Sequence, residues 1–172
     1  MRRILLSCAL LALFALPATA GASAPAKPGF LVVQNASGDG VNGRPVATVG
    51  IVKGFVLGRV SQEGRVDIIQ LPSANGQGAP QVNGADVRAT KIKWHGFTGT
   101  RYRGSNFRFR AMGGSYRIVV RGSGIYLFAG GKGLNLVALQ GSRYNPNRDG
   151  RYSVNGAPFR SLPTNRVSRK IS

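Results

Sequence analysis

The stretch that decides the fold is Phe107-Arg108-Phe109-Arg110-Ala111-Met112-Gly113-Gly114-Ser115-Tyr116-Arg117-Ile118-Val119-Val120-Arg121. Apolar side chains alternate with arginines over its first four residues and again from Tyr116 onward. A period of two sends successive side chains to opposite faces of a β-strand. The pattern therefore predicts strands that bury the apolar side chains and carry arginine on the outer face.

The rest of the chain favours the same class of structure. Glycine is frequent, and apolar residues recur at every second position rather than with a helical period. We expect an all-β fold, a mostly antiparallel sandwich of about ten short strands. Recurrent Gly-x-apolar-x-apolar patterns leave a short β-solenoid or β-roll as the alternative. The predicted strands outside the opening stretch lie at 30–34, 45–52, 54–60, 64–71, 86–97, 101–103, 125–129, 134–139, 151–154 and 158–162.

Turn residues support this assignment. Val-Asn-Gly occurs at 41–43, 82–84 and 154–156, and Asn-Gly favours the primed turns of β-hairpins. The third example predicts a hairpin between 151–154 and 158–162. The runs 125–129 and 134–139 are more continuously apolar, so we expect both of their faces to be covered.

The N-terminus has the pattern of a targeting signal. Arg2 and Arg3 precede an apolar run at 4–16, and small residues at 17–20 follow. The run is too short to span a bilayer, which predicts a signal peptide over 1–20 that is cleaved after Ala20. The expected location is therefore secreted or associated with the cell envelope, with no integral membrane segment after cleavage. Cys8 would be lost with the peptide, which excludes disulfides, thiolate ligands and a cysteine nucleophile in the mature chain.

The mature chain is long enough for one core. We expect a flexible segment at 21–28, a single all-β domain at 29–163 with a loop at 72–85, and a basic tail at 164–172. The oligomeric state is left open by the sequence.

Charge is distributed unevenly along the chain. The whole sequence has a net charge of +19, and from Val87 to Ser172 it carries 17 Lys/Arg against one acid, Asp149. Such a field attracts polyanions. We expect a non-enzymatic domain that binds anionic envelope polymers or an acidic lipid surface. The alternative is a structural or interaction protein in which the charge is incidental. The candidate ligand-binding residues are Arg101, Arg103, Arg108, Arg110, Arg117 and Arg121.

Basic and aromatic residues interleave between Lys91 and Arg121, a combination typical of single-strand nucleic-acid binders. On any one strand, however, the rings point away from the neighbouring charges. We therefore assign the rings to the core, which makes nucleic acid a less favoured partner than an envelope polymer.

Catalytic and metal-binding motifs give no comparable signal. A hydrolase would have to use His95, the single histidine, with Asp67 or Glu63 as its carboxylate. No nucleophile elbow accompanies these residues. The segment 145–150 begins like a calcium loop, but Gly156 stands at the twelfth position, where a glutamate is needed. We expect no catalytic residues, metal or cofactor.

Four stretches together carry a resemblance: Gly58-Arg59-Val60 with Glu63-Gly64-Arg65-Val66; Phe107-Arg108-Phe109-Arg110; Tyr116-Arg117-Ile118-Val119-Val120-Arg121-Gly122-Ser123-Gly124-Ile125; and Gly150-Arg151-Tyr152-Ser153. The chain from 54 to 163 resembles uncharacterised exported β-rich proteins of high-GC Gram-positive bacteria. The shared features are glycine and apolar patterning, so the resemblance implies no activity and no functional residues.

Overall fold

The computed structural model describes residues 27–72, 78–145 and 149–172. Within these ranges the regular elements are twelve β-strands that form one open sheet. They are β1 (Gly29–Asn35), β2 (Ala47–Val60), β3 (Gly64–Leu71), β4 (Gln81–Asn83), β5 (Arg88–Trp94), β6 (Phe97–Gly104), β7 (Phe107–Gly122), β8 (Ile125–Lys132), β9 (Asn135–Leu139), β10 (Gly150–Val154), β11 (Arg160–Ser161) and β12 (Val167–Lys170).

The strand pairs within the described residues are all antiparallel. The prediction of an all-β, mostly antiparallel fold is therefore confirmed. A β-solenoid stacks parallel strands, so this pairing does not fit the alternative.

Two long strands, β2 and β7, fold the sheet over on itself. The first half of β2 pairs with β9 and its second half with β8. The first half of β7 pairs with β4, and its second half pairs with β3. The sheet thus has two layers that share β2 and β7. The first layer runs β11-β10-β1-β8-β2-β7-β4, and the second runs β12-β9-β2-β7-β3-β6-β5.

Irregular pairing marks the bend. The β2–β7 register shifts on both sides of Gly54, opposite Met112 to Gly114. Gly113 has a φ of 75°, which glycine adopts without steric cost. The extra residue shifts the alternation, so that Ala111 and Tyr116 both face inward. Each half of β7 therefore keeps its arginines on the outer face.

The inner faces of both layers form one hydrophobic cluster. It includes Phe107 and Phe109 from the first layer and Tyr116, Ile118 and Val120 from the second. The Tyr116 ring is fully buried, and its hydroxyl lies 2.9 Å from the carbonyl oxygen of Met112 and 3.0 Å from that of Gly78. These contacts satisfy a polar group that would be costly to bury alone.

Parts of the domain layout differ from expectation. The segment 72–85, expected as a loop, contains β4, which pairs with Arg108 to Arg110 of β7. The expected tail at 164–172 contains β12, which pairs with β9, and Ile171 packs on the core. Backbone pairing and apolar burial thus anchor the C-terminus despite its basic composition. The predicted signal peptide and residues 21–26 lie outside the described residues.

In the part of the chain that the structure describes, no helix reaches the length and apolarity needed to cross a membrane.

One of the three Val-Asn-Gly sites forms the predicted turn. Asn155 and Gly156 have φ values of 53° and 75° between β10 and β11. Asn42 and Asn83 are not among the described residues with positive φ. His95 and Gly96, with φ values of 45° and 83°, form a comparable turn between β5 and β6. His95 is therefore a turn residue, although the predicted strand at 86–97 included it.

Candidate anion-binding groove

Four arginines lie directly opposite one another across the outer face of the second layer. Arg121 of β7 pairs with Arg65 of β3, Arg65 pairs with Arg103 of β6, and Arg103 pairs with Arg88 of β5. Neighbouring strands are about 4.8 Å apart, so the row brings four like charges together within about 15 Å. Like charges directly opposite each other destabilise a sheet. We call these four residues the arginine row.

A groove of about 450 Å³ crosses this face beside the arginine row. One carboxylate, Asp67, lies among its cationic lining residues. The charged lining residues other than Asp67 are Arg65, Lys93, Arg101, Arg117, Arg121 and Arg166. The groove therefore has a strong excess of positive charge.

Two bidentate guanidinium groups hold the carboxylate of Asp67. Arg101 Nε donates to Oδ1 at 2.8 Å and Arg101 Nη2 to Oδ2 at 3.1 Å. Arg65 Nε donates to Oδ1 at 3.1 Å and Arg65 Nη2 to Oδ2 at 2.8 Å. Burial would raise the pKa of Asp67, but these hydrogen bonds and the two positive charges lower it. Asp67 is therefore a fixed counterion with both oxygens occupied.

Arg117 and Arg121 are compensated less well. Within the described residues, the Nε atom of each is buried without a hydrogen-bond partner. The Nη1 atom of Arg121 donates to the carbonyl oxygen of Gly43. Burial, followed by repulsion from Arg166, lowers the pKa of Arg117. Burial, followed by repulsion from Arg65, also lowers the pKa of Arg121.

This arrangement can bind an anion. Arginine stays protonated in proteins, so a desolvated guanidinium group is stabilised by an oxyanion that accepts from its free N–H groups. The incomplete hydrogen bonding of these arginines and the repulsion between neighbouring cations both favour such a ligand, which would accept from N–H groups at the groove surface because the Nε atoms are buried. Phosphate, sulfate and carboxylate groups have the required planar or forked acceptor geometry.

Trp94 lies on the outer face with the arginines, so its assignment to the core is wrong. The Arg117 guanidinium carbon is 4.5 Å from the centroid of the Trp94 ring. Alternate residues of β5 lie opposite Arg101 and Gly99 of β6 and share their outer face. Ile92 is one of these residues, and Trp94, two positions further along the strand, lies on the same face. On the edge strand the half-buried ring covers the groove instead of the core.

The six predicted arginines do not converge on one surface. Arg101, Arg117 and Arg121 line the groove, and Arg103 belongs to the arginine row. Arg108 and Arg110 lie in the first half of β7, on the outer face of the other layer. Sequence reasoning missed Arg65, Lys93 and Arg166 of the groove and Arg88 of the arginine row. Alternation in 64–71 could have placed Arg65 outward, but only the pairing of β3 with β6 and β7 places it beside the other arginines.

The histidine and the glutamate considered for a hydrolase do not line the groove. The His95 ring contacts the edge of Trp94, with 4.6 Å between centroids, at the tip of the β5–β6 hairpin. Glu63 is exposed in the turn before β3. Among the described residues, no group of three or more His, Cys, Asp or Glu side chains is placed to hold a metal ion.

Sequence reasoning also missed a pair of carboxylates, Asp39 and Asp149. Asp39 Oδ1 accepts from Ser142 Oγ at 2.8 Å and from the Arg143 amide at 2.9 Å. Burial raises the pKa of Asp149, and the nearby Asp39 charge adds to that increase. Asp39 thereby ties the loop after β1 to the segment before β10. Sequence patterns could not predict this contact, because the two segments are far apart in the chain.

Comparison with known proteins gives no relative: no family model, curated protein or solved structure matches the chain.

Proposed function

We propose that this protein is an exported, non-enzymatic binding domain whose groove holds the anionic groups of cell-envelope polymers. The observation that carries the proposal is the pair of partly buried arginines, Arg117 and Arg121, whose Nε atoms are buried and have no partner within the described residues. Arg121 belongs to the arginine row, where like charges oppose each other on adjacent strands, and Arg117 lines the same groove. Folding this arrangement without a ligand costs stability.

Two further features support binding over catalysis. Asp67, the carboxylate in the groove, is fully engaged by Arg65 and Arg101 and is not free to act as a base. The signal-peptide pattern at 1–20 would deliver the chain to a compartment where teichoic acids and related polymers are the abundant polyanions. The groove then provides fixed cations rather than reacting groups.

The test is a titration of the purified protein with poly(glycerol phosphate) teichoic acid at several salt concentrations. We expect binding that weakens as salt rises, because exposed charge attraction is screened. The double variant Arg117→Gln/Arg121→Gln should lose at least about tenfold in affinity, the lower range for hydrogen bonds to charged groups.

The matched control is Arg169→Gln/Lys170→Gln, which removes the same charge from two β12 residues that do not line the groove. This control should lose much less affinity than the groove variant. Equal losses in the two variants would show that only total charge matters, in favour of incidental charge. No binding by the wild type at low salt would also contradict the proposal. Vesicles containing phosphatidylglycerol, titrated in parallel, would identify an acidic lipid surface as the better partner.

A further inference from the structure

The outer face of the first layer carries a second row of residues. Arg108 of β7 pairs with Arg59 of β2, Arg59 with Tyr126 of β8, Tyr126 with Gln34 of β1, and Gln34 with Arg151 of β10. Asn83 of β4 and Ser161 of β11 extend it at the two ends. We call these seven residues the mixed row. Its seven strands span about 29 Å.

Exposed aromatic rings lie within and beside the mixed row. The Tyr126 side chain is 41% exposed between the arginines, and Phe30 is also 41% exposed. Phe128, two residues after Tyr126 on the same face, stacks on Phe30 at 6.2 Å between centroids and meets Phe55 edge-on at 5.1 Å. The expectation that both faces of 125–129 are covered is therefore wrong, because these outer rings are covered mainly by one another.

Two depressions follow the mixed row in series. The larger, about 650 Å³, is lined by Gln34, Arg59, Tyr126 and Arg151 among others. The smaller, about 370 Å³, includes Gln81, Arg108 and Arg110. Arg59 and Arg108, which pair directly, connect the two. The surface is thus a continuous track suited to an extended chain rather than a compact ligand.

The charge of the track has one sign. No carboxylate is among the described residues that line the two depressions. Amides hold two of the arginines in place: Arg151 Nε donates to Gln34 Oε1 at 2.9 Å, and Arg110 Nε donates to Gln81 Oε1 at 2.7 Å. The Arg151 guanidinium carbon also lies 5.0 Å from the centroid of the Phe159 ring. Within the described residues, the remaining side-chain N–H groups of Arg110 and Arg151 have no hydrogen-bond partner, so they can pair with an anionic backbone.

We propose that the mixed row binds single-stranded nucleic acid. Backbone phosphates pair with Arg59, Arg108 and Arg151, and a base stacks on the exposed ring of Tyr126. Single-strand binders combine a positive track with exposed rings in this way. A polymer of glycerol phosphates, which has no rings, would use the arginines and leave Tyr126 without a role. This surface is separate from the arginine groove, so the inference stands independently of the proposed function.

The experiment measures fluorescence anisotropy of a labelled oligothymidylate and of an abasic phosphodeoxyribose oligomer of equal length. We expect the wild type to bind oligothymidylate more tightly. Tyr126→Ala should weaken that binding about 5- to 150-fold, the range for loss of one stacked base. Tyr126→Phe should restore it. Arg59→Gln should reduce the slope of log affinity against log salt by about one, whereas Tyr126→Ala should leave the slope unchanged.

Tyr144→Ala is the matched control, because Tyr144 is an exposed tyrosine that also contacts an arginine, Arg143, but lies off the mixed row. It should bind as the wild type does. Unfolding curves would verify that each variant is folded. Equal affinity for the two oligomers, an unaffected Tyr126→Ala variant or no binding at all would each overturn the proposal. Teichoic acid binding by Tyr126→Ala should stay at the wild-type level, which separates this outcome from the fate of the arginine groove.

Discussion

The guanidinium carbon of Arg117 lies 4.5 Å from the centroid of the Trp94 ring, although β3 and β6 separate their strands in the sheet. The indole ring covers a partly buried cation whose Nε has no hydrogen-bond partner within the described residues. A cation over a ring face is stabilised by about 0.5–2 kcal/mol, depending on its desolvation. Trp94 therefore holds Arg117 in the groove without occupying the hydrogen-bonding groups that an anion would use.

Trp94 is the single tryptophan, so its fluorescence reports on the groove. Titration with teichoic acid should change its emission, because an anion beside Arg117 alters the charge next to the ring. The change should be lost in Arg117→Gln and kept in Arg169→Gln. An identical spectral response in both variants would mean that the polymer binds away from Trp94.

Replacing Asp67 should lower the stability of the protein and raise its affinity for an anionic polymer. Asp67→Asn removes the counterion of Arg65 and Arg101 and leaves their charges partly buried. We expect the free energy of unfolding to fall by about 3 kcal/mol, the lower range for a broken buried ion pair. Affinity for teichoic acid should rise, because two guanidinium groups become available. Urea unfolding and the binding titration measure the two effects. Weaker binding by a folded Asp67→Asn protein would contradict this account of the groove.

The pKa of Asp67 also predicts a pH dependence. Its folded-state pKa is held below the usual value of 3.8, so the unfolded chain takes up the proton first. The stabilising contribution is therefore complete above pH 3.8 and is lost as the pH falls below that value through the folded pKa. Unfolding curves between pH 5 and about pH 2 should show this loss. Asp67→Asn should flatten that part of the profile, and an unchanged slope would contradict the assignment.

The Asn155 turn should be sensitive to substitution. Asn155 has a φ of 53°, and its Oδ1 accepts a hydrogen bond from the Phe30 amide at 2.8 Å. Asn155→Ala should lower the free energy of unfolding by about 1–2 kcal/mol, from backbone strain and the lost hydrogen bond. Asn83→Ala is the control, because Asn83 belongs to the same Val-Asn-Gly pattern without a positive φ. Its unfolding free energy should change by less than about 0.5 kcal/mol.

Two phenylalanines with opposite burial test the inner face. Phe107 is fully buried in the core, whereas Phe159 is 46% exposed. Phe107→Ala should destabilise the protein by about 3–5 kcal/mol through lost burial and the resulting cavity. Phe159→Ala should cost much less. Chemical denaturation of both variants provides the comparison, and similar losses would contradict the placement of Phe107 inside.

Much of the fold could be predicted because local alternation determines which side chains each strand buries. Phe107 and Phe109 point into the core and Arg108 and Arg110 point out, as expected. The Asn155-Gly156 turn was also predictable, since Asn-Gly adopts positive φ at low cost. The bend of β7 at Gly113 was not predicted. Whether a glycine pair ends a strand or forms a bulge depends on the strand opposite it, here β2.

The sequence by itself determined the class of fold, the inward and outward sides of regularly alternating strands such as the first half of β7, and the excess of positive charge. The tertiary structure decided which charges and rings became neighbours. Along β2, the one aromatic residue is Phe55, four positions before Arg59. The register of β2 with β8 nevertheless places Tyr126 directly beside Arg59. The register of β3 with β6 and β7 likewise brings Arg65, Arg103 and Arg121 together from three strands. Side-chain direction is a local property of the backbone, whereas register joins residues that are distant in sequence, so the two candidate surfaces emerge only when the strands pair.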